Sequence, residues 1–101
     1  MKIFEWNLEK NEWLKKVRDI SFEEIVESIL SDGLLDIIDN PSKNFPKQKV
    51  FVVFCKDYVY YVPFVEEEKT IFLKTIIPSR KILKKYQNKL KIMKNYEKKS
   101  S

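Results

Sequence analysis

The sequence contains no histidine, and cysteine and glycine each occur only once in 101 residues. The absence of histidine excludes the usual imidazole base, the Ser-His-Asp triad and histidine-containing zinc sites. A lone cysteine excludes an internal disulfide and a cysteine-rich metal site. We therefore expect any chemistry to proceed without metal or cofactor, and we expect Cys55, within the apolar run Val50–Cys55, to be a buried, inert thiol.

Long apolar runs are missing as well. The longest uncharged stretch, Tyr58–Val65, is far shorter than the roughly 20 residues that span a bilayer, and the N-terminus lacks a signal-like run. We expect a cytoplasmic protein without a membrane partner. Its hydrophobic content of 44% suffices for one folded domain, residues 1–94, while the polar run 95–101 is expected to be a disordered basic tail.

The positive charge is concentrated at one end. Residues 80–101 contain nine Lys and Arg against one acid, whereas the rest of the chain contains eleven bases against fourteen acids. Such an asymmetry favours a polyanionic partner, of which nucleic acid is the commonest.

The N-terminal half predicts one strand and two helices. Ile3–Trp6 has the composition of a short strand, and Asn7 is a suitable N-cap for a helix over Leu8–Arg18 with Leu14 and Val17 in the core.

The second helix has the clearest start signal, because Ser21 and Glu24 form an S-x-x-E capping box. Its apolar residues recur at helical spacing: Phe22, Ile25, Val26, Ile29 and Leu30. Gly33 follows at the position where a helix end favours a left-handed residue.

Three strands follow, at about Lys49–Lys56, Tyr58–Glu66 and Lys69–Ile77, each rich in β-branched and aromatic residues. Their short links predict hairpins. Length does not settle whether Leu34–Ile38 is a further strand, and Pro63 favours an edge position or a bulge.

Ser79 is a candidate N-cap for a last, lysine-rich helix. Its apolar side would consist of Ile82, Leu83, Tyr86, Leu90 and Met93. The element order predicts an α+β fold, an antiparallel β-meander with two N-terminal helices packed on the sheet and a basic C-terminal helix.

The junction between the last strand and this helix predicts a phosphate site. Arg80 and Lys81 lie where helix N–H groups favour anions, and a guanidinium adds a planar pair of donors. Lys74 precedes them on the strand, and Lys84 and Lys85 follow on the helix. The alternative for each lysine is an ordinary solvated surface residue.

Strand alternation puts Phe72, Lys74 and Ile76 on one face. Tyr58, Tyr60 or Tyr61 of the neighbouring strand would add a stacking surface for single-stranded RNA, although packing within the sheet is the alternative role for each. The strand register, which the sequence leaves open, decides which tyrosine shares the face.

Carboxylates are the remaining groups for proton transfer. The run Glu66–Glu68 is expected to be a solvated hairpin tip. Glu5 lies on the opposite strand face from Phe4 and Trp6, where it would act as a proton acceptor or form a structural ion pair with a neighbouring base.

Three segments together resemble a known family. Phe4–Asn7 with Glu9–Asn11, then Ile20–Glu24, and then Ile77–Lys81 resemble, in order and spacing, the BrnT-type toxins of bacterial type II toxin-antitoxin modules. The Lys-His-Gly that the family carries between its helices is replaced here by Lys16–Asp19.

The resemblance implies a RelE/ParE-like fold and an endoribonuclease that inhibits translation by cleaving messenger RNA, free or on the ribosome. It also implies a cognate antitoxin with a ribbon-helix-helix domain. Among the residues, it assigns phosphate stabilisation to Arg80 and makes Lys49 the counterpart of a basic residue on the family's central strand.

Two functions follow as hypotheses. In the first, a histidine-free endoribonuclease uses Arg80 and one lysine (Lys74, Lys49 or Lys81) to stabilise charge, while a carboxylate such as Glu5 or a tyrosine moves the proton. In the second, the chain binds RNA or an antitoxin without catalysis, since no residue is obviously suited to act as a general base.

Overall fold

The computed structural model describes residues 2–40, 44 and 48–80. These residues form two helices, α1 (Leu8–Arg18) and α2 (Phe22–Leu30), and six strands: β1 (Ile3–Trp6), β2 (Leu34–Asp39), β3 (Lys49–Cys55), β4 (Tyr58–Glu66), β5 (Thr70–Leu73) and β6 (Ile77–Pro78). The α+β class is confirmed. The predicted C-terminal helix, with Lys81, Lys84 and Lys85, and the predicted tail lie outside the described residues.

Side-chain capping hydrogen bonds fix the start of both helices at the predicted residues. The Asn7 side chain accepts a hydrogen bond from the Lys10 N–H at 2.9 Å, and Ser21 and Glu24 form the reciprocal capping box. The predicted core positions are only partly right: Leu14 is fully buried, but Val17 and Leu30 are 60% and 75% exposed.

The sheet has the order β1-β5-β4-β3-β2, with β6 also paired to β4. The hairpins β3–β4 and β4–β5 are antiparallel as predicted, but β1 pairs with β5 in parallel, from Ile3 opposite Thr70 to Trp6 opposite Leu73. A purely antiparallel meander is therefore wrong. The first strand lies beside a strand almost seventy residues later, a pairing that no local signal encodes.

Both helices cover one face of the sheet, here called the helix-covered face. Its core includes Leu14, Ile20, Phe22, Ile25, Phe51, Val53, Cys55, Tyr60, Val62, Phe64, Leu73 and Ile76. The thiol of Cys55 is buried there, as predicted. The opposite face, here called the second face, carries Val52, Val59, Tyr61 and Phe72, since these alternate with core residues.

Pro63 lies where the last predicted strand is interrupted. The carbonyl groups of Val59 and Pro63 accept hydrogen bonds from Ser79 and Lys74 at 3.0 and 2.8 Å, so both residues direct their backbone polar groups toward β5 and β6. Pro63 has no N–H to donate there. The predicted strand Lys69–Ile77 accordingly splits into β5 and β6. Of the two roles predicted for Pro63, the edge position is wrong because β4 is central, whereas the pairing is irregular as a bulge requires, with Val62 and Pro63 facing the three residues 74–76.

The split also redirects one side chain. Ile76, predicted to share a face with Phe72 and Lys74, is fully buried in the helix-covered core instead. Strand alternation holds only within an unbroken strand.

Glycine is required at position 33 because a side chain would not fit there, and not because the backbone is left-handed. The positive φ, 98°, belongs to Asp32, while a Cβ on Gly33 would lie 2.6 Å from the carbonyl oxygen of Phe54 and 2.7 Å from that of Ser28. The expected left-handed Gly33 is therefore wrong. The residue lets the end of α2 approach β3 closely, and its own carbonyl accepts from the Phe54 N–H at 2.7 Å.

Neither described helix has the length and apolar character required to cross a bilayer.

Candidate nucleic-acid interface

Arg80 lies beside the first half of β4, because β6 holds it there. Tyr61 and Tyr60 pair with Ile77 and Pro78, and the Ser79 N–H then donates to the Val59 carbonyl at 3.0 Å. Arg80 follows directly and is exposed. Its backbone is thus positioned by three consecutive residues bound to β4, and its guanidinium is accessible to an anion.

Lys74 reaches the second face in the gap between β5 and β6. Its backbone N–H is bound to the Pro63 carbonyl, and its Nζ lies 4.9 Å from the centroid of the Phe72 ring. This is a cation–π contact at an exposed site, which leaves the ammonium free to approach a phosphate as well.

The strand register shows which of the three tyrosines lies on the same face of the sheet as Lys74. Tyr61 lies on the second face between the levels of Lys74 and Arg80, whereas Tyr58 and Tyr60 pack against each other near the helix-covered core, with ring centroids 5.6 Å apart. Partial burial raises the pKa of Tyr61 above its ordinary value of 10.0. Its hydroxyl is therefore protonated at neutral pH and acts as a hydrogen-bond donor.

Glu5 lies on the second face as well, but at the far end. Its register partner is Phe72, which in turn pairs with Val65 of β4. No basic residue forms an ion pair with Glu5 within the described ranges, so the expected structural salt bridge is absent there.

Four predicted site residues thus occupy successive levels of β4. Ser79, the residue before Arg80, is at the level of Val59, followed by Tyr61 itself, Lys74 at Pro63, and Glu5 at Val65. At about 3.4 Å per residue, the levels of Ser79 and Glu5 are separated by roughly 20 Å along the strand, and Arg80 lies one residue beyond Ser79. We call the nearer three, Arg80, Tyr61 and Lys74, the β4 strip.

Lys49 does not belong to this group. It pairs with Phe64, about 17 Å along β4 from the level of Ser79, and lies on the same, helix-covered face as Phe51 two residues later. Lys49 and Arg80 consequently cannot hold the same phosphate, and the family counterpart suggested by the sequence is not supported by position.

A second group of cations was not predicted. Trp13, 40% exposed on α1, has Lys10 Nζ at 4.4 Å and Arg18 Cζ at 5.0 Å from its ring centroid. We call these three residues the indole cluster. The i,i+3 spacing of Lys10 and Trp13 is a usable helical signal.

The indole cluster adjoins the segment that leads to Arg80. The Arg18 Nη1 donates to the carbonyl oxygen of Ile76 at 2.5 Å, in the linker between β5 and β6. Nothing in the sequence signals this contact, because it joins residues 58 positions apart.

The described residues contain no group of three or more Cys, Asp or Glu side chains that could hold a metal ion. The site, as far as it is described, consists of cations and aromatic rings.

Comparison with known proteins yields no match to any family model, curated protein or solved structure.

Proposed function

We propose that the chain is the toxin of a type II toxin-antitoxin pair and acts in the cytoplasm as a histidine-free endoribonuclease of RelE/ParE-like fold. The three sequence segments that resemble BrnT-type toxins motivate this proposal. The observation that carries it is the pairing of β6 with β4, which places Arg80, Tyr61 and Lys74 in sequence along one strand. Alternating cations and an aromatic ring suit the phosphates and bases of single-stranded RNA.

In the proposed reaction, the RNA 2′-oxygen attacks the adjacent phosphorus, a new P–O bond forms, and the bond to the 5′-oxygen breaks. Arg80 stabilises the charge on the phosphoryl oxygens, and Lys74 binds a neighbouring phosphate. The protonated Tyr61 donates its proton to the departing 5′-oxygen. The proton of the 2′-hydroxyl passes to water, because Glu5 lies too far from Arg80 to receive it.

Replacing Arg80 with alanine tests this function. We expect Arg80→Ala to lower RNA cleavage by about 10² to 10³, the usual cost of losing one donor to a transition-state oxyanion, and to relieve growth arrest on induction in a bacterium. Lys69→Ala, at an exposed position in the β4–β5 turn, is the matched charge control and should cleave as the wild type does. Equal growth and no cleavage with either wild type or Arg80→Ala would refute the catalytic claim.

A non-catalytic module that binds RNA or an antitoxin is the second candidate. The observation in its favour is the roughly 20 Å between Arg80 and Glu5, which leaves no sequence-predicted carboxylate beside the guanidinium. It predicts salt-dependent RNA binding without products.

The proposed partner is a ribbon-helix-helix antitoxin. Co-expression of a neighbouring gene that encodes such a protein should relieve the growth arrest. Failure of every neighbouring gene to do so would argue against a toxin-antitoxin pair while leaving the cleavage assay unaffected.

A further inference from the structure

We propose that the indole cluster of Lys10, Trp13 and Arg18 is a second nucleotide-binding subsite, at which one base of a single-stranded RNA stacks on Trp13. The proposal rests on RNA being the ligand, as the proposed function has it, but it concerns binding on α1 and not cleavage on β4.

Two cations lie beside the Trp13 ring without an acidic partner among the described residues. Three other bases, Lys2, Lys15 and Lys56, have glutamate partners at 2.8–3.1 Å. Lys10 and Arg18 form no ion pair with any described residue, and both lie within about 5 Å of the same indole. Each cation contacts the ring but has no described anion, and a phosphate beside either one would supply the missing negative charge.

The acid next to Trp13 in sequence is already paired. Glu12 forms an ion pair with Lys15 at 3.1 Å and none with Lys10 or Arg18. Glu12 therefore does not offset the two cations beside the indole.

The ring favours a planar ligand. Trp13 is 40% exposed and shares its π surface with the two cations, so a nucleobase would stack on the exposed part beside them, and a guanidinium carries five N–H donors, of which Arg18 directs one at the Ile76 carbonyl. An acidic peptide would satisfy the charges but gains little from the ring. The combination favours a nucleotide.

The indole cluster also lies near the segment that leads to Arg80. Arg18 is bound to Ile76, the last residue before β6, and Arg80 follows β6 after Ser79. Tyr61 and Lys74 lie on the second face whereas α1 packs on the helix-covered face, so an RNA strand bound at both places would pass over the β5–β6 break.

Binding of an uncleavable probe tests the subsite independently of catalysis. The probe is a fluorescein-labelled 2′-O-methyl oligouridylate of about 12 nucleotides, titrated with the full chain by fluorescence anisotropy. We expect Trp13→Ala to weaken binding by roughly 5- to 150-fold, the usual loss for one stacked base, and Trp13→Phe to restore most of it. Leu8→Ala, which removes another exposed apolar side chain from α1, is the control and should bind as the wild type does.

Two further measurements separate stacking from charge and from folding. An abasic strand of the same length should bind Trp13→Ala and wild type equally, and Lys10→Ala should lower the slope of log K against log salt by about 1. The fluorescence of Trp13, recorded in a Trp6→Phe background, should be quenched by the oligouridylate and not by polyglutamate of equal charge.

The outcomes are distinct from those of the cleavage assay. Equal oligouridylate binding by wild type and Trp13→Ala overturns the subsite even where Arg80→Ala abolishes cleavage. Equal quenching by polyglutamate overturns it in favour of an acidic protein partner. If Trp13→Ala weakens oligouridylate binding but the wild type cleaves no RNA, the subsite is supported and the proposed nuclease activity is refuted.

Discussion

At the scale of single residues, one buried amide fixes the geometry of the helix pair. Asn11 is 3% exposed; its oxygen accepts from the Phe22 N–H at 2.8 Å, and its Nδ2 donates to the Glu23 carboxylate. It thereby satisfies a donor at the N-terminus of α2 that would otherwise be buried without a partner. The sequence shows an asparagine inside a predicted helix but not this role, because the contact depends on how the two helices meet.

Gly33 provides a stability prediction at the same scale. A Cβ there would meet the backbone oxygens of Phe54 and Ser28 at 2.6 and 2.7 Å, and backbone atoms of a strand and a helix cannot move aside cheaply. We expect Gly33→Ala to lower the free energy of unfolding by about 1–3 kcal/mol, measured by urea denaturation.

Asp32→Gly is the matched comparison for Gly33→Ala. Asp32 holds φ at 98°, which glycine adopts without strain, so this variant should be neutral or slightly more stable. Equal stability of Gly33→Ala and the wild type would show that α2 and β3 are not packed as closely as described.

At the scale of elements, a lysine in the β3–β4 turn ties the sheet to the helix pair. Lys56 Nζ lies 2.8 Å from the Glu24 carboxylate and donates to the Asp19 carbonyl at 2.9 Å. Lys56 and Asp57 both have positive φ, 52° and 62°, the geometry of a two-residue hairpin turn that matches strand twist. The turn thus closes the hairpin and contacts the α1–α2 connection.

This contact predicts a pH dependence of stability. Burial alone would raise the pKa of Glu24, but the hydrogen bonds from Lys56 and Ser21 outweigh it and leave the pKa below the ordinary value of 4.5. A lowered folded pKa contributes stability that is fully present above the unfolded value and is lost as pH falls through the folded one.

We expect Glu24→Gln to flatten the loss of stability between about pH 5 and about pH 3. Thermal melts across this range measure the effect. Glu27→Gln, an exposed change on the same helix, should leave the wild-type profile intact. A Glu24→Gln profile that parallels the wild type would contradict the assignment.

The elements also show which parts of the fold are predictable. The helix starts at Asn7 and Ser21 follow from side chains that bond to their own helix within three residues, so the sequence contains the whole signal. The parallel pairing of β1 with β5 and the break opposite Pro63 each depend on contacts between residues that are far apart in the sequence. The same limit applies to the site. The sequence predicts Arg80, Tyr61 and Lys74 as site residues, but only the strand register shows their order along β4 and the separation of Lys49 from them.

At the scale of the whole molecule, the excess positive charge lies in one segment of the chain, of which only Arg80 belongs to the β4 strip. Residues 80–101 carry an excess of eight positive charges, while the remainder has three more acids than bases. Under the proposed function, long-range attraction of RNA originates in the C-terminal segment, and short-range contacts in the β4 strip and the indole cluster.

Neutralising the most distal lysines tests this division. We expect a variant with Lys94, Lys98 and Lys99 changed to Gln to associate with RNA roughly 3- to 10-fold more slowly at low salt, measured by stopped-flow fluorescence, and to cleave bound RNA at the wild-type rate. The difference should vanish at high salt. A lowered cleavage rate with an unchanged association rate would place these lysines in the reaction instead.

The parallel pairing of β1 with β5 has a consequence for biosynthesis. Ile3 leaves the ribosome well before its strand partner Thr70, which is added only after 66 intervening residues have been translated. At a synthesis rate of roughly 5–20 residues per second, the backbone of β1 stays unpaired for several seconds. Trp6 and Leu73 become neighbours in the sheet only after that time. A nascent chain is therefore incomplete at the β1–β5 edge until the segment just before Arg80 has emerged, so synthesis itself delays assembly of the proposed RNA-binding surface.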